Sequence, residues 1–123
     1  MKSILHVATA FLLSCLPAQA YEIETGAVTI CDTEQQVQRF AELFEGNQQR
    51  AIAAVNDEEH DPNACGMVDA AYVLGPQLGM ARNKSQAFQI TEILVVGVNT
   101  TSGYHAINPA RFFTPVKVKE IAV

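Results

Sequence analysis

Phe88-Gln89-Ile90-Thr91-Glu92-Ile93-Leu94-Val95-Val96-Gly97-Val98 is the stretch on which the reading of the fold turns. Its β-branched and aromatic residues read as a strand. Phe88 and Ile90 alternate with Gln89 and Thr91, the pattern of one buried and one wet face. From Ile93 to Val96 both parities are apolar, which predicts cover on both sides or a kink at Gly97. Downstream, Asn99 to Gly103 reads as a hairpin loop and Tyr104 to Ile107 as the return strand, ended by Pro109. Val116 and Val118, alternating with Lys117 and Lys119, predict a last strand that leads into Ile121 and Val123. Upstream, Ala70 to Leu74 is a modest strand stopped by Gly75-Pro76, and the polar stretch Arg82 to Ser85 is a turn.

Ahead of these strands the period changes. Ala27 to Cys31 is a short β-type run. Asp32 follows, with Gln35 at the spacing of an N-cap and a partner reaching back. Val37, Phe40, Ala41 and Phe44 then fall at i, i+3, i+4 and i+7, an apolar helical face. Gly46 suits a C-cap. Asn47 is placed to cap a second helix, with Ile52 and Val55 inward and Ala51, Ala53 and Ala54 allowing close packing. Its end is expected near Asn56, because Asp57-Glu58-Glu59 lies at the negative pole of its dipole. Strands that cluster after a helical pair exclude a βαβ nucleotide fold. The expected class is α+β: an N-terminal short strand and an αα-hairpin packed on a four- to five-stranded antiparallel sheet, short enough to curl into a half-barrel.

The chain has 123 residues, 49% of them hydrophobic, which suffices for one globular domain and not for two. Residues 1–20 read as a signal peptide and 21–123 as the domain. Lys2 supplies the positive start, Ile4 to Leu13 the apolar core, and Ala18-Gln19-Ala20 after Pro17 the cleavage site. That core is far shorter than the roughly 20 residues of a bilayer-spanning helix. Phe11-Leu12-Leu13-Ser14-Cys15 offers a second outcome, a lipid anchor at Cys15. Either way the chain is expected in the periplasm or secreted, with no membrane span.

Processing after Ala20 leaves Cys31 and Cys65, and an even pair in an oxidising compartment reads as a disulfide. It closes a loop of 35 residues, for which chain entropy gives about 3–4 kcal/mol. Without Lys2 the chain carries thirteen acidic against seven basic residues, −6. That charge argues against a phosphate-binding surface, so no nucleic acid is expected as a partner.

Val28 to Phe40, Asn63 to Gly66 (Asn-Ala-Cys-Gly), Thr91 to Val98 and Phe112 to Val123 together resemble a group of short exported bacterial proteins of unknown function. The resemblance implies export and the cysteine pair, and no activity.

Three places carry candidate chemistry. Asp57-Glu58-Glu59-His60-Asp61 holds four carboxylates and an imidazole, yet helical neighbours diverge by about 100° and the run lacks the glycine of a calcium loop. It is read as a solvated helix end, with no metal and no cofactor expected. Tyr104-His105 on the return strand, with Glu92 on the strand before it, would form a general-base pair if the register sets His105 opposite Glu92. The third is the terminal strand with Phe112-Phe113 and its lysines: edge protection, or a docking edge for a protein or peptide. Asn83-Lys84-Ser85 and Asn99-Thr100-Thr101 match the glycosylation pattern and are read as turn residues. The expectation is thus a binding module of the cell envelope, the alternative a small hydrolase built on His105, Glu92 and Tyr104.

Overall fold

The computed structural model describes residues 22–119. The expected signal peptide over residues 1–20, with Cys15, and the last residues Ile121 to Val123 lie outside the described residues. Six elements follow in order: β1 (Glu24–Cys31), α1 (Glu34–Leu43), α2 (Gln48–Glu59), β2 (Cys65–Arg82), β3 (Ala87–Thr100) and β4 (Gly103–Lys117). The class is α+β, with two helices packed on an antiparallel sheet of four strands. β2 pairs with β1 and β3, and β3 with β4. The sheet curls until β1 meets β4 at one register position, Cys31 opposite Phe113, and so forms a ring.

The first helix starts one residue later than its sequence suggests. Thr33, not Asp32, is the N-cap: its hydroxyl accepts from the Gln36 N–H at 3.1 Å, and the Gln36 side chain accepts from the Thr33 N–H at 3.0 Å. The spacing that identifies a capping box is met equally well by this pair, and threonine returns the bond from an extended backbone. The expected face is the real one, for Val37, Phe40, Ala41 and Phe44 are all buried. Gly46 does not end the helix. Phe44 is the C-cap, turned to φ −70°, ψ 122°, and its ring packs 5.7 Å from Phe40 and 5.3 Å from Phe88 between centroids. The carbonyls freed by this turn are met from far along the chain. Asn83 Nδ2 donates to Ala41 O at 2.9 Å and to Phe44 O at 2.8 Å. The Asn83 side chain therefore closes α1 as well as shaping its own turn.

Asn47 caps α2 as expected, but the helix runs past Asn56 to Glu59. Two interactions carry it through the acidic run. Glu58 reaches across to Arg39 on α1 at 2.7 Å, and His60 closes the helix in the left-handed region (φ 54°), its N–H directed to Asn56 O and Asp57 O. Asn56 itself returns the chain to the sheet: its side chain accepts from Cys65 N–H at 2.8 Å and donates to Cys65 O and Pro62 O at 3.0 Å each.

Two expected strand ends are not ends, and one expected strand is not separate. β2 continues through Gly75-Pro76 because the register slips there, between Leu74 and Gln77 and again between Gln77 and Gly79, so the proline sits in a bulge. β4 likewise passes Pro109, where the register shifts between Val95/Ala110 and Gly97/Ala106. The Val116–Lys117 alternation is the end of this same strand and not another one.

On β3, Phe88 and Ile90 join Cys31, Cys65 and Ala81 under the helices in one core cluster. Thr91, Ile93 and Val95, on the opposite face by strand alternation, are buried too. Cover on both sides thus falls at Phe88 to Thr91, earlier than the apolar run suggests, while Leu94 is exposed. The alternative of a kink holds: the register shifts on both flanks of Gly97, where a Cβ would stand 3.0 Å from the His105 carbonyl oxygen. Thr91 pairs with Thr114, whose hydroxyl donates to Thr29 O at 2.6 Å. Among the described residues, the hydroxyls of Thr29 and Thr91 are buried and find no hydrogen-bond partner.

Two substitutions separate these layers. Phe40→Ala should cost about 3–5 kcal/mol, since it empties the centre of the aromatic cluster. Thr91→Val should leave stability unchanged or raise it by up to about 1 kcal/mol, since it removes an unpaired buried hydroxyl at constant shape. Urea unfolding of both variants is the measurement. A Thr91→Val loss above about 1 kcal/mol would mean that an internal water satisfies that hydroxyl.

Candidate functional site

The residues suggested for general-base chemistry are placed apart. Glu92 stands opposite Phe113, Tyr104 opposite Asn99 and His105 opposite Val98. Each also has a different partner. Glu92 Oε1 accepts from Arg111 Nη1 at 2.8 Å, the Tyr104 hydroxyl donates to Asp69 Oδ1 at 2.7 Å, and His105 Nε2 lies 2.9 Å from Ser102 Oγ. The general-base pair required a register with His105 opposite Glu92, and the two-residue loop at Thr101–Ser102 instead fixes His105 opposite Val98. Ser102 and His105 do approach as a nucleophile and base would. Among the described residues, however, no carboxylate orients the other nitrogen of that imidazole, and the pair is exposed.

Asp69 is the best-held carboxylate on this side. Asn99 Nδ2 at 2.9 Å and the Tyr104 hydroxyl both donate to it, and they hold its carboxyl below the usual range, Asn99 contributing most. The hydrogen bond to Asp69 in turn, with burial and the Asp69 charge, raises the Tyr104 hydroxyl above its ordinary value.

The acidic run is dispersed. Glu58 faces Arg39, Asp61 Oδ1 accepts from the Asn63 N–H at 2.8 Å, and His60 is the helix cap. Among the described residues no three His, Cys, Asp or Glu side chains gather in metal-binding geometry. Nor does the last strand present its lysines as a plain edge: Lys117 Nζ lies 5.3 Å from the Phe44 ring centroid, over the margin of the core.

What the strand reading missed lies further along β2. β1 covers β2 only from Cys65 to Tyr72, where Glu24 is the last partner. From Val73 to Met80, β2 is paired on one side, to β3, and among the described residues no strand pairs with its other side. Leu74, Leu78 and Met80 are exposed along this edge. Beside it is a cavity of about 260 Å³ lined by Val73, Leu74, Gly75, Glu92, Leu94 and Arg111. Val73, Leu94 and Arg111 are successive register partners, so they form one row on one face. The sequence held a signal for this edge, because Val73, Leu74, Leu78 and Met80 remain apolar on both sides of Gly75-Pro76; reading that pair as a stop concealed it.

Comparison with protein families, with curated proteins and with solved structures finds no match. The site is therefore read from its own chemistry.

The polar cluster gives a pH prediction. A carboxyl held below its unfolded value contributes stability above that unfolded value and loses it as the pH falls through the folded one. The carboxyl-carbon NMR titration of Asp69 should therefore move upward in Asn99→Ala, and by less in Tyr104→Phe. A titration unmoved by both substitutions would show that these contacts do not persist in solution.

Proposed function

We propose that this chain is an exported, disulfide-stapled binding module of the cell envelope, which holds an extended segment of a partner protein along the outer edge of β2. The carrying observation is the mismatch in strand length: β2 spans 18 residues and β1 only 8, so among the described residues more than half of β2 has no second neighbour. Backbone donors and acceptors along such an edge are recognised by another strand, and side-chain pockets beside it supply the choice of sequence. The exposed Leu74, Leu78 and Met80 and the adjoining cavity are of that kind.

The bulges at Gly75-Pro76 and Leu78 also bear on this reading. They break the edge into short pieces, which discourages indiscriminate pairing with any exposed strand. A partner must then gain most of its affinity from side chains. Export is supported by the Cys31–Cys65 bridge and by the fact that, among the described residues, no helix is long and apolar enough to cross a membrane. Periplasm and secretion are both compatible with these features.

Selection of twelve-residue peptides from a displayed library on the processed protein, followed by hydrogen exchange, tests the proposal. Bound peptides should slow amide exchange in Gln77 to Met80. Leu78→Glu and Met80→Glu should each weaken binding at least about tenfold, the loss expected when an apolar anchor is replaced by a charge. Peptides that protect another surface, or that bind these variants unchanged, would refute the β2 edge as the site.

A further inference from the structure

We infer that the cavity beside β2 is a selective pocket for one large aliphatic side chain of a segment that carries a carboxylate close to it, with Arg111 as the residue that selects for the acid. The inference rests on the edge reading above and adds the chemistry of the occupant.

Its floor is apolar. Val73 and Leu94 are paired across β2 and β3 and so point to one face, and Gly75 contributes no side chain. A Cβ at Gly75 would stand 3.2 Å from the Glu92 carbonyl oxygen and 3.4 Å from Glu92 Cβ. Glycine there lets the strands approach and leaves the floor clear. About 260 Å³ falls short of the 300–1,000 Å³ typical of small-molecule sites. The space therefore suits a side chain delivered by a strand that already lies along the edge.

The rim is charged, and its two charges are not equivalent. The Glu92 side chain is 22% exposed and that of Arg111 68%. An arriving group therefore meets the guanidinium first. Glu92 engages only Nη1 of Arg111, so the fork retains donors for a second carboxylate, which a planar guanidinium holds with two parallel bonds. The net charge of −6 on residues 21–123 opposes an acidic partner at long range, but salt screens that repulsion over about 8–10 Å. Contact with Arg111 lies well inside this distance.

Residues two apart on a strand share a face, which fixes the probe. Three capped peptides alternate threonine and valine around a central leucine; two positions from the leucine they carry glutamate, glutamine or lysine. Binding to the processed protein is followed by NMR titration of the Leu74 and Leu94 methyl groups. The glutamate peptide should bind roughly three- to tenfold more tightly than the lysine peptide. Arg111→Gln should remove that preference while leaving leucine-dependent binding in place. Lysine binding as well as glutamate overturns the inference and leaves the edge reading standing, provided that Leu94→Asp abolishes all three. If none of the peptides shifts these methyl groups, or if Leu94→Asp binds them as the native protein does, the edge reading falls and the inference with it. Thermal unfolding of each variant confirms that its fold is kept.

Discussion

The bond between Cys31 and Cys65 is the constraint from which the rest of the arrangement follows. The two residues are register partners, with Cα atoms 4.0 Å apart and a sequence separation of 34. Everything between them is helical hairpin and its turns. The bridge therefore makes the departure and return of the hairpin one point on the sheet, and both sulfur-bearing residues are buried within the core cluster. A hairpin tied at both ends has little freedom in where its apolar face falls. Phe40 and Phe44 meet Phe88, and Val37, Ala51 and Val55 close around them. Asn56 and Asn83 finish the same task with hydrogen bonds, the first at the bridge and the second at the far end of α1.

This explains what was legible in the sequence. The helical faces follow from a 3.6-residue period, which tertiary contacts reinforce, so Val37, Phe40, Ala41 and Phe44 are buried as read. Cys31 and Cys65 could be paired because the processing expected after Ala20 would leave no third cysteine. Caps and ends were less legible because neighbouring residues compete for them. Thr33 and Asp32 both fit an N-cap; the Gln36 side chain accepts from both of their N–H groups at 3.0 Å, and the Thr33 hydroxyl, accepting from the Gln36 N–H, decides between them. The carbonyls of α1 are satisfied by Asn83, about forty residues away in sequence terms, and no local pattern announces a partner at that range.

The strands failed in a more specific way. Gly75-Pro76 and Pro109 carry the sequence marks of termination, yet both lie inside long strands. Proline stops a strand because it cannot donate to a ladder; a bulge removes the demand for that donation. The same irregularities set the shape of the sheet. Bulges raise local twist, and β2 and β3 accumulate several between Ala71 and Gly79. A sheet bent in this way can close on itself with few strands, and here β1 reaches β4 through a single opposed pair. The tight loop at Thr101–Ser102 already sets His105 opposite Val98, and the shift at Gly97 moves Glu92 on to Phe113, so each polar group finds a neighbour of its own.

The unpaired part of β2 then follows from the staple together with the short length of β1. β1 must end at Cys31, in register with Cys65 at the very start of β2. With its end fixed there, a strand of 8 residues covers β2 no further than Tyr72. The remainder of β2 is needed elsewhere, because Ala81 supports the helices and pairs with Phe88. A chain built in this way has to leave a backbone edge between two obligatory regions. An exposed edge with leucines and a methionine is a risk of self-association. Bulges, a proline and an outward arginine limit that risk, and the same three features would set the terms on which one particular segment is admitted.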